Sequence, residues 1–194
     1  MPFLEDKEWD PIFIQLLLST KQSIRPTKGQ FNGPYIKLLN YTCEGIGLVI
    51  TPLDDDQSVD SGLLIGFYNN QLLVLVTVID ISTELQSSQE REAADCVMRD
   101  IFFNTLSKCP LTMMYGLSFA STKLRVYEGD MVKQEIHPPL EKFVRGTRGY
   151  LADTWNVDMT STAGLKKLQS VILDIKKRLE DSGFEDVVRS SKSC

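Results

Sequence analysis

Leu72–Ile79, LLVLVTVI, is the stretch on which the fold turns. A strand with one face in water alternates apolar and polar residues, and this run does not. It therefore reads as a central strand covered on both faces. It is also far short of the ~20 apolar residues that a membrane-spanning helix needs. Immediately before it, Asn69-Asn70 marks a hairpin turn, because asparagine tolerates positive φ. The turn joins Leu63–Tyr68 to a strand over Gln71–Ile81. Just after it, Ser87 and Glu90 stand at capping-box spacing. The helix they open carries Ala94, Val97, Met98, Ile101 and Thr105 on one face, widened by Phe102 and Leu106 and closed by Pro110.

Working outward, Asp10-Pro11 is a helix start, with Asp as cap and Pro at the first helical position. That helix is expected over IFIQLLLSTKQSI, ending before Pro26. A loop rich in Gly and Pro, TKGQFNGP, is followed by two expected strands, Tyr35–Tyr41 and Glu44–Thr51, the second bent at Gly45 and Gly47. On the far side, Leu111–Phe119 and Lys123–Tyr127 read as a second hairpin around Ala120-Ser121-Thr122. Glu128-Gly129-Asp130 reads as a turn into a short strand, Met131–Ile136. Residues 141–158 are expected to form a short helix and a loop packed by Tyr150 and Trp155. The last helix begins near Thr160–Thr162 and carries Leu165, Leu168, Ile172, Ile175 and Leu179 at spacings of 3, 4, 3 and 4. The expectation is a single α/β (α+β) domain over residues 1–184, with a polar tail at 185–194. Its central mixed sheet is flanked by helices, in the order helix, strands, helix, strands, helix.

Composition narrows the function. The chain has 194 residues, 21 Lys+Arg against 26 Asp+Glu, and a formal net charge of -5. That balance does not favour nucleic acid as a partner. No secretory leader is legible in MPFLEDKEWDPIF, where acids stand in place of bases. Cys43, Cys96, Cys109 and Cys194 fit no zinc spacing and are read as reduced thiols of a cytoplasmic or nuclear protein. The phosphate-loop, dinucleotide, kinase and nucleophile-elbow motifs are absent. Asp54, Asp56, Ser58 and Asp60 imitate a calcium loop. Its sixth and twelfth positions, which need Gly and a bidentate Glu, hold Val59 and Ile65. His137 is the one histidine and precedes Pro138-Pro139, which reads as a turn rather than a triad.

An acid before a hairpin, with further polar groups on the next strand, is how some metal-dependent nucleases hold Mg²⁺ or Mn²⁺. Asp60 stands in the place of the first acid. Here the chain resembles the PD-(D/E)XK nuclease-like superfamily, in its element order from the first helix to about Tyr127. It is similar in particular to the degenerate nuclease-like domains of fungal proteins, including those preceding fungal-type kinase domains. The segments prompting this are MMYGLSFASTKLRVYEGDMV and FVRGTRGYLADTWNVDMTSTAGL. The family's E-x-K falls in LLVLVTVID, where this chain has Thr77, Val78 and Ile79. The resemblance thus implies a nuclease fold without catalysis or cofactor, acting as a protein-interaction or assembly module. The alternative is a Mg²⁺- or Mn²⁺-dependent nuclease whose metal ligand is Asp60, completed by Asp80 or Glu44. The order of elements with an acidic pI is also similar to type III secretion chaperones, which are dimeric binders of peptide segments.

Two surfaces are candidates for partners. The seam Leu165, Leu168, Ile172, Ile175, Leu179 alternates as a coiled coil does over about two heptads, and would serve a protein partner or a homodimer. Packing on the chain's own sheet explains the same pattern. Lys142, Arg145 and Arg148, near Phe143, Tyr150 and Trp155, would grip nucleic acid only if they converge on one exposed surface; otherwise they form a solvated face.

Overall fold

The computed structural model describes residues 2–23, 30–46, 48–53, 61–68, 71–79, 85, 87–141 and 149–182. Helices α1 (Pro2–Glu5), α2 (Pro11–Lys21) and α3 (Asn32–Cys43) come first. Strands β1 (Val49–Leu53), β2 (Ser61–Tyr68) and β3 (Gln71–Ile79) follow, then α4 (Ser88–Thr105). The rest is β4 (Met113–Ala120), β5 (Lys123–Asp130), β6 (Glu135–His137), β7 (Val157–Asp158) and α5 (Thr162–Asp181). The strands make one mixed sheet in the order β1-β2-β3-β4-β5-β6, with β7 also on β5. Among the described strands only β3 and β4 run parallel, joined by the α4 crossover. The α+β architecture expected from the sequence is the one observed.

LLVLVTVI is central, paired with β2 on one side and β4 on the other. Its neighbours Leu73 and Val74 point to opposite faces, as successive strand residues must, and both are buried. The capping box closes as expected: the Ser87 hydroxyl accepts from the Glu90 amide, and the Glu90 carboxylate accepts from the Ser87 amide. Val97, expected on the buried face of α4, is 36% exposed.

Tyr35–Tyr41 is helix, not strand. Tyr35, Leu38, Leu39, Thr42 and Cys43 are buried, a 3-1-3-1 spacing that only a 3.6-residue period puts on one face. Glu44–Ile46 is a 3-10 turn ending that helix, and the strand after it starts only at Val49. Glu128-Gly129-Asp130 is no turn. β5 runs through it, and Gly129 is needed for close approach, since a Cβ there would sit 2.6 Å from the Phe102 ring. The turn lies at Met131–Gln134 instead, where the Asp130 carboxylate accepts from the amides of Val132 and Lys133. Consequently β6 is three residues, Glu135–His137, rather than a strand from Met131.

Each face of the sheet carries its own layer. Tyr35 of α3 stacks on Phe119 at 3.9 Å between ring centres, and the Tyr115 hydroxyl donates to Asp174 of α5 at 2.6 Å. Alternate residues Gly116, Ser118, Arg125, Tyr127 and Gly129 face α4 and the 149–156 segment. Leu165, Leu168, Ile172, Ile175 and Leu179 are each at most 3% exposed, inside the main apolar core. This corrects their reading as a partner surface: the seam is consumed by the chain's own fold.

Candidate functional site

The chemistry under α4 gathers on Asp95, 1% exposed and one turn beyond Arg91 on the helix face that meets the sheet. Its Oδ1 accepts from the Tyr127 hydroxyl at 2.9 Å and lies 3.1 Å from Arg125 Nη1. Its Oδ2 accepts from Arg99 Nε at 2.7 Å. A carboxylate has about four acceptor sites, and three donors, two of them cationic, occupy this one. Burial pushes the Tyr127 phenol well above its ordinary pKa against the opposing pull of Arg125. The phenol therefore stays protonated and acts as a donor.

Arg125 is 3% exposed, with its guanidinium carbon 4.8 Å from the Tyr127 ring centre and 5.0 Å from that of Trp155. Cation–π contact of this kind suits guanidinium, which is more weakly hydrated than an ammonium. Its Nη1 also donates to the Thr154 hydroxyl at 3.2 Å. Trp155 Nε1 donates to Ser118 Oγ at 3.3 Å. Arg91 donates to the carbonyls of Tyr150 at 2.6 Å and Leu85 at 2.8 Å. The 149–156 segment is thus fastened to the sheet by side chains from α4, β4 and β5. Of the polar side-chain atoms of these residues only Arg125 Nε is buried without a hydrogen-bond partner, and the rest are matched to one another, which suits a clamp more than a reaction centre.

Two clefts lie on the opposite layer and meet at the α1–α2 junction. One, of about 400 Å³, is lined by Asp6, Glu8, Trp9, Asp10, Phe13 and Tyr41 among others. The second, about 700 Å³, adds Ile14 and Leu18 and shares Glu8, Trp9 and Pro11 with the first. Trp9 is fixed between them by its Nε1, which donates to the Ser161 carbonyl at 3.0 Å. Asp10 caps α2 by accepting from the Ile12 amide at 2.8 Å, as its place before Pro11 suggested.

Asp60, Asp80, Lys142, Arg145 and Arg148 lie outside the described residues. Glu44 is exposed on the 3-10 turn, not on a strand. Tyr150 and Trp155 are buried at 5% and 8% exposure, so they offer no open faces on which bases could stack. Among the described residues, no group of three or more His, Cys, Asp or Glu side chains could hold a metal ion. Cys43, Cys96 and Cys109 are free thiols, and burial pushes the Cys43 thiol up to about 11. No described helix is long and apolar enough to cross a membrane.

Sequence reasoning missed Asp95 and Arg125. The signal was present: Arg91, Asp95, Met98 and Phe102 continue one 4-3-4 stripe, so two charges sit at core positions of an otherwise apolar face. A charge is rarely fully buried without a partner. Asp95 finds Arg99 one turn on along α4, but its other two partners, Arg125 and Tyr127, come from β5, about 30 residues away, where nothing local announces them.

No family model matches the chain, and neither a curated protein nor a solved structure matches it.

Proposed function

We propose that this chain is a nuclease-like domain without metal chemistry, acting inside the cell as a protein-interaction module. What supports the reading is the register of β3. Thr77 pairs with Leu63 of β2 and with Ser118 of β4, and Ile79 pairs with Ser61 and Ala120. These are the positions where the resemblance requires an acid and a lysine. Moving Asp80 into the place of Ile79 would take a one-residue slip. Such a slip reverses every side chain of the strand and must break both ladders of a buried central strand at once. Asp95 offers no replacement, because two arginines and a tyrosine already occupy its carboxylate.

Calorimetric titration with Mn²⁺, alongside DNA and RNA cleavage assays, tests this. The expected result is no saturable heat and no cleavage. Mn²⁺-dependent cleavage that disappears in Asp60→Ala would overturn the reading in favour of the nuclease.

A further inference from the structure

Resting on that reading, we infer that the paired clefts at Trp9 are the docking surface, and that their occupant is a basic, amphipathic segment of another protein. The observations are the shape of the groove, its lining and its charge. Trp9 forms the wall common to both clefts, and Pro11 and Glu8 complete the shared rim. On one side Ile14 and the 40% exposed Leu18 give an apolar lobe beside the α2 helix. On the other, Asp6, Glu8 and Asp10 stand around Trp9, Phe13 and Tyr41, with Lys37 as the one cation in that lining.

Three carboxylates beside the 41% exposed Tyr41 ring favour a Lys or Arg side chain, which gains from both the negative charge and that one open ring face. The stem of such a side chain is apolar and can lie along Tyr41 while its head reaches the acids. A neighbouring Leu or Ile side chain of the same segment fits the second lobe. The volumes, about 400 and 700 Å³, suit a few side chains each rather than a single ion. The walls are held in place before any partner arrives. Trp9 packs 5.1 Å from Phe13 and 6.2 Å from Phe3, and the Tyr41 hydroxyl donates to Asp6 at 2.8 Å. Rigid aromatic walls lose little entropy on binding, which is what an anchor pocket requires.

The probe is the peptide acetyl-ALRLRA-amide, with acetyl-ALELEA-amide as its acidic counterpart. The readout is the indole N–H resonance of Trp9 in the full chain. The Trp155 indole, bonded to Ser118 beneath α4, is the internal control. The basic peptide should shift the Trp9 signal saturably and leave Trp155 in place, while the acidic peptide does nothing. Glu8→Lys, at an exposed site, should weaken binding at least about fivefold, the direction charge complementarity demands. Its thermal melt should match the parent's, so lost binding would not be lost folding. No shift at millimolar basic peptide, or equal shifts with both peptides, would overturn the inference. So would Trp9 shifts that depend on protein concentration alone, which would make the groove a contact between copies of this chain. Failure here with no Mn²⁺-dependent cleavage sinks the groove and leaves the non-catalytic reading standing. Cleavage would sink that reading whatever the peptides do.

Discussion

The two faces of the sheet are filled in different ways. Towards α3 and α5 the sheet offers Leu117, Phe119 and Leu124, and the helices answer with Tyr35, Leu165, Leu168 and Ile172, nearly all hydrocarbon. Towards α4 it offers Ser118, Arg125 and Tyr127, and the helix answers with Arg91, Asp95 and Arg99. Hydrocarbon packing is additive and forgiving, because each residue contributes through the area it buries. A buried charge network depends on all its members, because removing one leaves the others desolvated and unpaired. The first face therefore resists unfolding in proportion to its area. The second fixes one arrangement of α4, β5 and the 149–156 segment. Both clefts at Trp9 open on the helical layer of the first face.

Substitutions can break or sharpen this contrast. The largest effect is expected from Asp95→Ala, which strands Arg125 beneath α4 without a counter-charge. Urea denaturation should report a loss of about 3 to 5 kcal/mol. Asp95→Leu combined with Arg125→Met should recover much of that loss, since a well-packed apolar pair often equals a buried ion pair. A double variant no better than Asp95→Ala would mean that the arginine's contacts with Tyr127 and Trp155 matter more than its charge pairing.

Leu168→Ala tests the other face. It should cost about 3 kcal/mol by the same measurement, from lost transfer energy and the cavity left behind. No second substitution elsewhere in the core should rescue it as the double variant rescues Asp95.

A smaller effect separates the two long helices. Ser87→Ala should cost about 1 kcal/mol as the loss of an N-cap. Ser161→Ala should cost more than Ser87→Ala. The Ser161 hydroxyl not only accepts from the Gly164 amide but also donates to the Asp158 carbonyl, tying α5 to β7. Equal melting shifts would contradict this.

The smallest effect concerns acid. Burial raises the Asp174 carboxyl, but hydrogen bonds from Tyr115 and Arg178 outweigh it and hold the group below the ordinary carboxylate range. A carboxyl depressed in the folded state stabilises above its unfolded value, about 3.9, and that contribution fades as pH falls through the folded value. Asp174→Asn should therefore flatten the loss of stability below about pH 4, measured as midpoints of urea denaturation. An unchanged acid limb would assign that loss to other carboxylates.

Patterns that are local in sequence were legible without the structure. The run Leu72–Ile79 announced a central strand, Ser87 with Glu90 announced a helix start, and Ser121-Thr122 announced a hairpin turn, because each depends on a few adjacent residues. Where two local signals competed, the shorter-range one misled. Asn32-Gly33-Pro34 reads as a loop, yet the helical spacing from Tyr35 to Cys43 prevails because five residues are buried by it. Gly129 reads as a turn residue, but the glycine serves the approach of Phe102 from a helix some 25 residues earlier.

The sequence by itself therefore determined the mixed α+β class, the buried central strand and the helix caps at Asp10 and Ser87, all written in spacings shorter than a helix, but not that Tyr35–Cys43 is a helix. Only the tertiary structure decided that the α5 seam is spent on the core, that Asp95 holds two arginines and a tyrosine, and that two clefts meet at Trp9. Those outcomes depend on which distant segments are brought together. Pairing between β5 and α4, or between Trp9 and Ser161 across 152 positions, leaves no periodic trace in either partner.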